Sequence, residues 1–139
     1  MTDFIGVKIA LLTNADRLLV IQRDNKSGLQ FAGLWDFPGG GREDKETPLE
    51  CVTRELKEEL SIQLSQSEII WNKHYPTDNP SLVAYFMVSR VTDDQIKGIR
   101  FGDEGRGWKL MTIEEFLQAN DVVQPLKIRL QDYLATSRN

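Results

Sequence analysis

The sequence lacks the features that mark membrane-spanning and disulfide-stabilised proteins. It contains one cysteine, Cys51, which excludes an intramolecular disulfide framework. Its longest unbroken apolar run, residues 82–88, is far shorter than the roughly 20 residues that a transmembrane helix needs. The first residues show no basic region followed by an apolar segment, so we expect no signal peptide, no membrane association and a cytoplasmic protein.

The sequence also lacks an excess of positive charge. Seventeen basic residues stand against 21 acidic ones, for a net charge of −4. No global positive field therefore attracts nucleic acid, and we do not expect it as a partner. A polyanion would have to be held locally or through a metal. The 139 residues fit one domain, 1–139, and the content of 40% apolar and 27% charged residues is that of a folded globular chain.

The hydrophobic pattern predicts a mixed α/β fold. Alternating or continuous apolar runs predict strands at residues 5–12, 18–21, 69–75, 82–91 and 108–111. The first strand is predicted to form a hairpin with the second and to bury the face that carries Ile5, Val7, Ile9 and Leu11. The 82–91 strand is predicted to be central. Because helices are interspersed between strands, we expect a mixed sheet covered by helices.

Three helices have clear starts. Thr47 with Glu50 forms a capping box and Pro48 suits the first helical position, so a helix should run to about Leu60. Thr112 with Glu115 predicts a second, short helix. Pro125 opens a third, whose predicted apolar contacts are Leu126, Ile128, Leu130, Tyr133 and Leu134.

The first of these helices carries an unusual acidic cluster. Its apolar stripe is Leu49, Val52, Leu56 and Leu60. Glu55, Glu58 and Glu59 lie together on another face, where like charges three and four residues apart repel one another. A divalent cation would compensate this repulsion, and hard oxygen donors suit Mg²⁺ or Mn²⁺. The alternative from the residues alone is a solvated charged face.

The spacing of this segment resembles the signature of the Nudix hydrolases, G-x5-E-x7-R-E-U-x-E-E-x-G-U, with U an aliphatic residue. The matching positions within this box, residues 40–62, are Gly40, Glu46, Arg54, Glu55, Leu56, Glu58, Glu59 and Ile62. The preceding residues 35–40, WDFPGG, are similar to the W-x-F-P-G-G approach common in the family. Ser61 stands where the family has glycine, so the helix must end in a strained left-handed residue, at roughly 1 kcal/mol, or end differently.

The resemblance implies a Nudix-type α/β/α sandwich with a central mixed sheet, and it implies roles for these residues. Glu55, Glu58 and Glu59 would bind Mg²⁺ or Mn²⁺ together with the carbonyl of Gly39. Arg54 would orient the glutamates, and Glu46 would anchor the loop. Glu104, in a glycine-flanked loop, would be the general base or a further ligand, with Glu58 or Glu59 as alternatives.

The residues that would meet substrate are less sharply indicated. Arg23 is often matched in the family by a phosphate contact, although a surface arginine is the alternative, and the glycines at Gly40 allow close approach of a ligand. Phe37 is our candidate for stacking on a base, with Phe31 and Trp71, although aromatic residues more often fill cores. His74 is expected at a surface or strand edge, Cys51 as a buried inert thiol and Trp108 in the core.

The resemblance further implies hydrolysis of a pyrophosphate bond in a nucleoside diphosphate linked to another group. Our leading hypothesis is a nucleoside triphosphate, canonical or oxidised, cleaved to a monophosphate and pyrophosphate. In the branch that removes oxidised guanine nucleotides, an asparagine two residues before the last helix's proline reads the purine, whereas here Val123 precedes Pro125. ADP-ribose, nucleotide sugars and dinucleoside polyphosphates are alternative substrates, whereas the acidic net charge disfavours RNA 5′ ends. A non-catalytic nucleotide-sensing or protein-binding domain is the alternative of another class. A homodimer is possible, since dimers are common in the family.

Overall fold

A computed structural model describes residues 3–137, apart from the side chain of Ser137. The strands are β1 (Asp3–Leu12), β2 (Arg17–Gln22), β3 (Trp35–Asp36), β4 (Gly39–Gly41), β5 (Ile69–Pro76), β6 (Leu82–Arg90) and β7 (Gly107–Thr112). The helices are α1 (Pro48–Leu60), α2 (Asp93–Lys97), α3 (Ile113–Gln118) and α4 (Pro125–Ser137), and one 3₁₀ turn spans Gln66–Glu68. No helix in the described residues is long and apolar enough to cross a bilayer.

The strands form one mixed sheet in the order β3-β2-β1-β6-β5, with β4 also paired to β1 and β7 to β2. The β1–β6 pair is parallel and every other pair is antiparallel. The predicted β1–β2 hairpin and the interior position of β6 are therefore confirmed. In the β1–β4 pair, Lys8 stands opposite Gly39, which brings the glycine-rich loop beside the centre of the sheet.

Each face of the sheet carries its own core. Ala10 and Leu12 of β1 pack in one cluster with residues of α3 and α4, among them Phe116, Leu126 and Leu130. The alternate β1 residues Val7, Ile9 and Leu11 pack in the other cluster with Val52, Leu56 and Leu60 of α1. This is the expected α/β/α sandwich with a central mixed sheet.

Three expectations about apolar residues are wrong. From Ile9 to Leu12 both faces of β1 are buried, not one, because helices cover the sheet on both sides. Ile5, expected on the buried face, is 53% exposed near the strand's start. Ile128, expected to supply a contact of α4, is 62% exposed because it points away from the stripe formed by Leu126, Leu130 and Tyr133.

Helix α1 begins as predicted. Thr47 accepts a hydrogen bond from the Glu50 amide, the Glu50 side chain accepts one from the Thr47 amide, and Pro48 occupies the first turn. The helix ends at Ser61 in the left-handed conformation, with φ 57° and ψ 31°, so the strained ending is the one adopted. Helix α2 was not predicted, although its capping box of Thr92 and Gln95 has the same signature.

Candidate functional site

One open cavity of about 400 Å³ lies where β1, β4, helix α1 and two loops meet. Glu55 and Glu59 of α1 border it on one side, together with the three glycines of β4 and Glu104 from the loop before β7. Lys8 of β1, Arg23 after β2 and Asp36 of β3 border it on another. A second cavity of about 300 Å³ is lined by Glu55, Glu58, Glu59, Asp103 and Glu104.

Arg54 connects the acidic helix to the loop before it. Its guanidinium donates to both carboxylate oxygens of Glu46, at 2.7 Å from Nε and 3.1 Å from Nη2. Nη1 donates to Glu55 at 3.0 Å and to Glu58 at 3.2 Å, and Nη2 donates to the carbonyl of Gly41 at 2.9 Å. One side chain therefore contacts two of the three clustered glutamates as well as the loop.

Glu46 is the main partner of Arg54. Its Oε1 also accepts from the amide of Glu43 at 2.8 Å. The hydrogen bonds from Arg54, and next the one from Glu43, lower the pKa of Glu46 to about 2. Glu46 is thus a fixed anion that holds both the loop and the guanidinium in place.

Glu59 is the most enclosed of the helix glutamates. Burial raises its pKa to about 8, against the opposing effects of the Gly39 amide and of the Lys8 charge. The Gly39 amide donates to Glu59 Oε1 at 2.8 Å. Burial also raises the pKa of Glu55, with the Arg54 hydrogen bond opposing it, whereas the Glu58 side chain is 58% exposed. The three carboxylates therefore span a range from solvent to interior.

The glycine at position 40 leaves room for the Glu55 carboxylate. A Cβ atom there would lie 2.5 Å from Cδ and Oε1 of Glu55, well inside van der Waals contact. Gly39 has φ 131°, a conformation that L side chains rarely adopt, and it places its amide on Glu59. The glycines thus let the loop backbone approach the carboxylates closely.

The carboxylates that line the second cavity are the oxygen ligands that a hard divalent cation prefers, although their side chains do not converge on one point. In the arrangement of residues 3–137, no three acidic, histidine or cysteine side chains form a ready metal site. Arg54 donates to Glu55 and Glu58, and the Gly39 amide donates to Glu59. Oxygen donors from Glu55, Glu58, Glu59 and Glu104 all line one cavity, which is the chemistry that Mg²⁺ or Mn²⁺ prefers.

The predicted substrate contacts have mixed outcomes. Arg23 borders the cavity, where its Nη1 donates to Asp36 at 3.0 Å and its Nε to the Gln30 carbonyl at 3.0 Å. Phe37 needs correction as a stacking residue: it borders the cavity, but it is 1% exposed and its ring stacks on Phe116 at 4.6 Å. The ring belongs to the core because Phe86 and Phe116 pack against it.

Other singled-out residues lie away from the cavity. Trp71 packs on Phe86 and Tyr133, and Phe31 is partly exposed in the loop after β2. His74 is exposed on the edge strand β5, and Trp108 packs partly buried against the core, both as expected. Cys51 is fully buried, and burial raises the pKa of its thiol to about 11, as expected for an inert cysteine.

Lys8 and Asp36 border the cavity but were not predicted as site residues. They lie 28 residues apart, and the Lys8 ammonium donates to Asp36 Oδ2 at 2.9 Å on the cavity wall. The signal was present, since Lys8 interrupts the apolar pattern of a central strand. The pattern could not show that Asp36 is the partner of Lys8.

Comparisons with known proteins give the family and the fold of this chain. The sequence model of the NUDIX domain matches residues 4–132. An 8-oxo-dGTP diphosphatase from Proteus vulgaris is 35% identical over 75 residues, which are 53% of this chain and 65% of the relative. A CTP pyrophosphohydrolase from Escherichia coli strain K12 is 36% identical over 66 residues, which are 48% of this chain and 47% of the relative.

This chain matches less than two thirds of the length of each of these two curated relatives. Similarity in structure extends further. The crystal structure of a MutT protein from Methanosarcina mazei Go1 superposes with a TM-score of 0.78, covering 99% of this chain and 98% of that one, at 19% identity. This likeness establishes the shared fold, and the match of the domain model over residues 4–132 shows that the chain belongs to the NUDIX domain family.

Proposed function

We propose that this protein hydrolyses a nucleoside triphosphate to a nucleoside monophosphate and pyrophosphate, with Mg²⁺ or Mn²⁺ as cofactor. The observation that carries the proposal is the common cavity that joins Glu55, Glu59 and Glu104 to Arg23. Both curated relatives described above are named for nucleoside triphosphates, 8-oxo-dGTP and CTP, which supports this substrate class.

Glu55, Glu58 and Glu59, with the carbonyl of Gly39, are the groups that would hold the cation. When bound, a divalent cation neutralises phosphate charge and makes water a better nucleophile. The protein's own contribution is to keep several carboxylates close together despite their repulsion. Arg54 does this by donating to both Glu55 and Glu58, while Glu46 fixes Arg54 from the other side.

Hydrolysis adds water across a P–O–P bond, so one group must accept a proton as the new P–O bond forms. We assign this role to Glu104, which is exposed at the rim of both cavities. Its loop contains glycines at 102 and 105, so the side chain has freedom to move towards the substrate. Glu58 and Glu59 remain the alternative proton acceptors.

Arg23 is the residue that we assign to a phosphate contact. Arg23 borders the cavity, and within residues 3–137 its guanidinium, which carries five N–H donors, donates to Asp36 and to the Gln30 carbonyl. The base-reading position before the last helix holds Val123, whose side chain is 6% exposed and offers no hydrogen bond. We therefore assign no preference for oxidised guanine to this chain.

The test is turnover by the purified protein of a panel of compounds, with Mg²⁺ or Mn²⁺ and with products identified by mass spectrometry. The panel holds canonical and oxidised nucleoside triphosphates, ADP-ribose, nucleotide sugars, dinucleoside polyphosphates and triphosphorylated RNA. Release of monophosphate plus pyrophosphate from triphosphates supports the proposal. Preferred cleavage of another class reassigns the substrate, and nucleotide binding without turnover indicates a sensing domain.

Variants of the helix glutamates test the metal assignment. Glu58→Gln and Glu59→Gln should each lower kcat by about 100-fold or more while the fold is retained. Glu114→Gln is the matched control, because Glu114 lies on α3 and contacts Gln118 rather than the cavity. Unchanged turnover in both helix variants would remove these carboxylates from the mechanism.

A further inference from the structure

Lys8 is a charged residue in a strand whose neighbours are core residues. Ala10 and Leu12, on the same face of β1, are buried against α3 and α4, and Phe86 stands opposite Lys8 on β6. The Lys8 side chain is only 26% exposed. A lysine in such a place is costly unless its charge is paired.

Asp36 supplies that pair and is itself fixed at three points. Its Oδ2 accepts from Lys8 Nζ at 2.9 Å and from Arg23 Nη1 at 3.0 Å, and its Oδ1 accepts from the Phe37 amide at 2.8 Å. The Asp36 side chain is 5% exposed. One buried carboxylate therefore sets the positions of two cations on the same cavity wall.

Such a cluster is poorly explained by stability alone. A buried ion pair contributes little compared with apolar residues of similar size, because both charges lose their hydration. An apolar pair would have continued the Ala10 and Leu12 face of the core. Instead, Lys8, Arg23 and Asp36 all border the cavity, which favours a role in binding a ligand there.

Lys8 also has hydrogen-bonding capacity to spare. An ammonium has three N–H donors, and among residues 3–137 the structure gives Lys8 one acceptor, Asp36. The positive charge of Lys8 also acts on the acidic helix: burial raises the pKa values of Glu59 and Glu55, and the Lys8 charge opposes that rise. Its backbone register beside Gly39 places it next to the loop that holds Glu59.

We propose that Lys8 is a substrate-binding residue, and that Asp36 positions it beside Arg23 so that both donate to oxygen atoms of the bound nucleotide. This rests on the proposed function and deepens it. The oxygen belongs either to a phosphate or to a keto group of the base. Asp36 touches no substrate in this assignment and acts through the two cations.

The test is the kinetic comparison of Lys8→Met with the wild type on the best nucleotide of the panel. Loss of a charge-assisted hydrogen bond to substrate should raise KM about tenfold or more, with kcat changed far less. Lys8→Arg should restore most of the affinity, because it keeps the charge and the donors. Lys109→Met is the matched control, since Lys109 lies on β7 over the Trp35 ring and does not border the cavity.

Asp36→Asn tests the positioning role. It keeps the size of the side chain and an acceptor for the Phe37 amide but weakens its hold on Lys8 and Arg23. We expect Asp36→Asn to raise KM. The double variant Asp36→Asn with Lys8→Met should raise KM by far less than the product of the two single-variant increases. Independent, multiplying effects would remove Asp36 from this role.

Inorganic tripolyphosphate distinguishes the two sources of oxygen. If Lys8 binds phosphate, Lys8→Met weakens inhibition by tripolyphosphate by the same factor as it raises the KM of the nucleotide. If Lys8 binds the base, tripolyphosphate inhibition is unchanged and the KM effect differs between keto and amino bases. An unchanged KM in a folded Lys8→Met protein for every nucleotide overturns the proposal.

Failure of the proposed function would be recognised separately. A wild-type protein that turns over nothing in the panel contradicts the hydrolase assignment, and calorimetric binding of ATP and GTP to wild type and Lys8→Arg, Lys8→Gln and Lys8→Met then tests Lys8 by itself. Equal affinities across these variants overturn the assignment of Lys8. If Lys8→Met does not fold, Lys8→Gln serves in the kinetic comparison.

Discussion

The guanidinium of Arg54 donates to both carboxylate oxygens of Glu46, at 2.7 and 3.1 Å, although Glu46 precedes the helix that carries Arg54. This fork joins the loop to the helix in a fixed geometry. The remaining donors of Arg54 reach Glu55 and Glu58, so the loop indirectly sets the orientation of the acidic cluster.

Arg54→Lys should therefore impair catalysis more than folding. A lysine keeps the charge but cannot donate through a planar fork to Glu46, Glu55 and Glu58 together. We expect kcat to fall by about 10- to 100-fold, as is usual when the partner of a metal ligand is lost. Steady-state kinetics would show this, and Arg90→Lys, which alters a solvent-exposed ion pair with Asp16, should leave kcat unchanged.

Glu46→Gln should change how stability depends on pH. Arg54 lowers the pKa of Glu46 to about 2 from an ordinary value of 4.5. The ionised carboxylate of Glu46 therefore stabilises the folded state relative to the unfolded state. The resulting stability is fully present above pH 4.5 and is lost as the pH falls towards 2. Urea unfolding from pH 6 to pH 2.5 should show wild type above the variant at the upper end and the two curves approaching one another below pH 4.5. A constant difference across this range would contradict the assignment.

Gly40→Ala should weaken the binding of a divalent cation. The new methyl group would lie 2.5 Å from the Glu55 carboxylate, which must turn away, and a flexible side chain can do so without unfolding the protein. We expect Mn²⁺ affinity, measured by electron paramagnetic resonance, to fall about tenfold. Gly41→Ala is the control, because its Cβ would meet its nearest atom, the Ile5 carbonyl oxygen, at 3.9 Å.

Ser61→Gly should stabilise the protein. Ser61 ends α1 with φ 57°, where a side chain costs about 1 kcal/mol relative to glycine. Its hydroxyl contact with the Arg100 carbonyl is long, at 3.5 Å, so little is lost with it. Thermal and urea unfolding should show a gain of about 1 kcal/mol. Ser61→Ala keeps the strain and should show none of the gain, and an equal gain in both variants would rule out backbone strain as its origin.

The sequence was sufficient for the starts of α1 and α3 and for the choice of candidate carboxylates. Capping boxes at Thr47 and Thr112 act over three residues, and the spacing of Glu55, Glu58 and Glu59 is a property of one helix, so both can be read from neighbouring letters. The family resemblance likewise rested on one continuous segment, and the match of the NUDIX domain confirmed it. Val123 could be placed before the last helix for the same reason.

The tertiary structure decided what depends on distant segments. Lys8 and Asp36 meet because β4 pairs with β1 and places Gly39, three residues after Asp36, opposite Lys8, and no local pattern encodes that pairing. Phe37 is core rather than a stacking surface because Phe116 of α3 covers it. Both faces of β1 are buried because helices pack on each side of the sheet, a property of the assembled layers that the alternation within one strand does not contain.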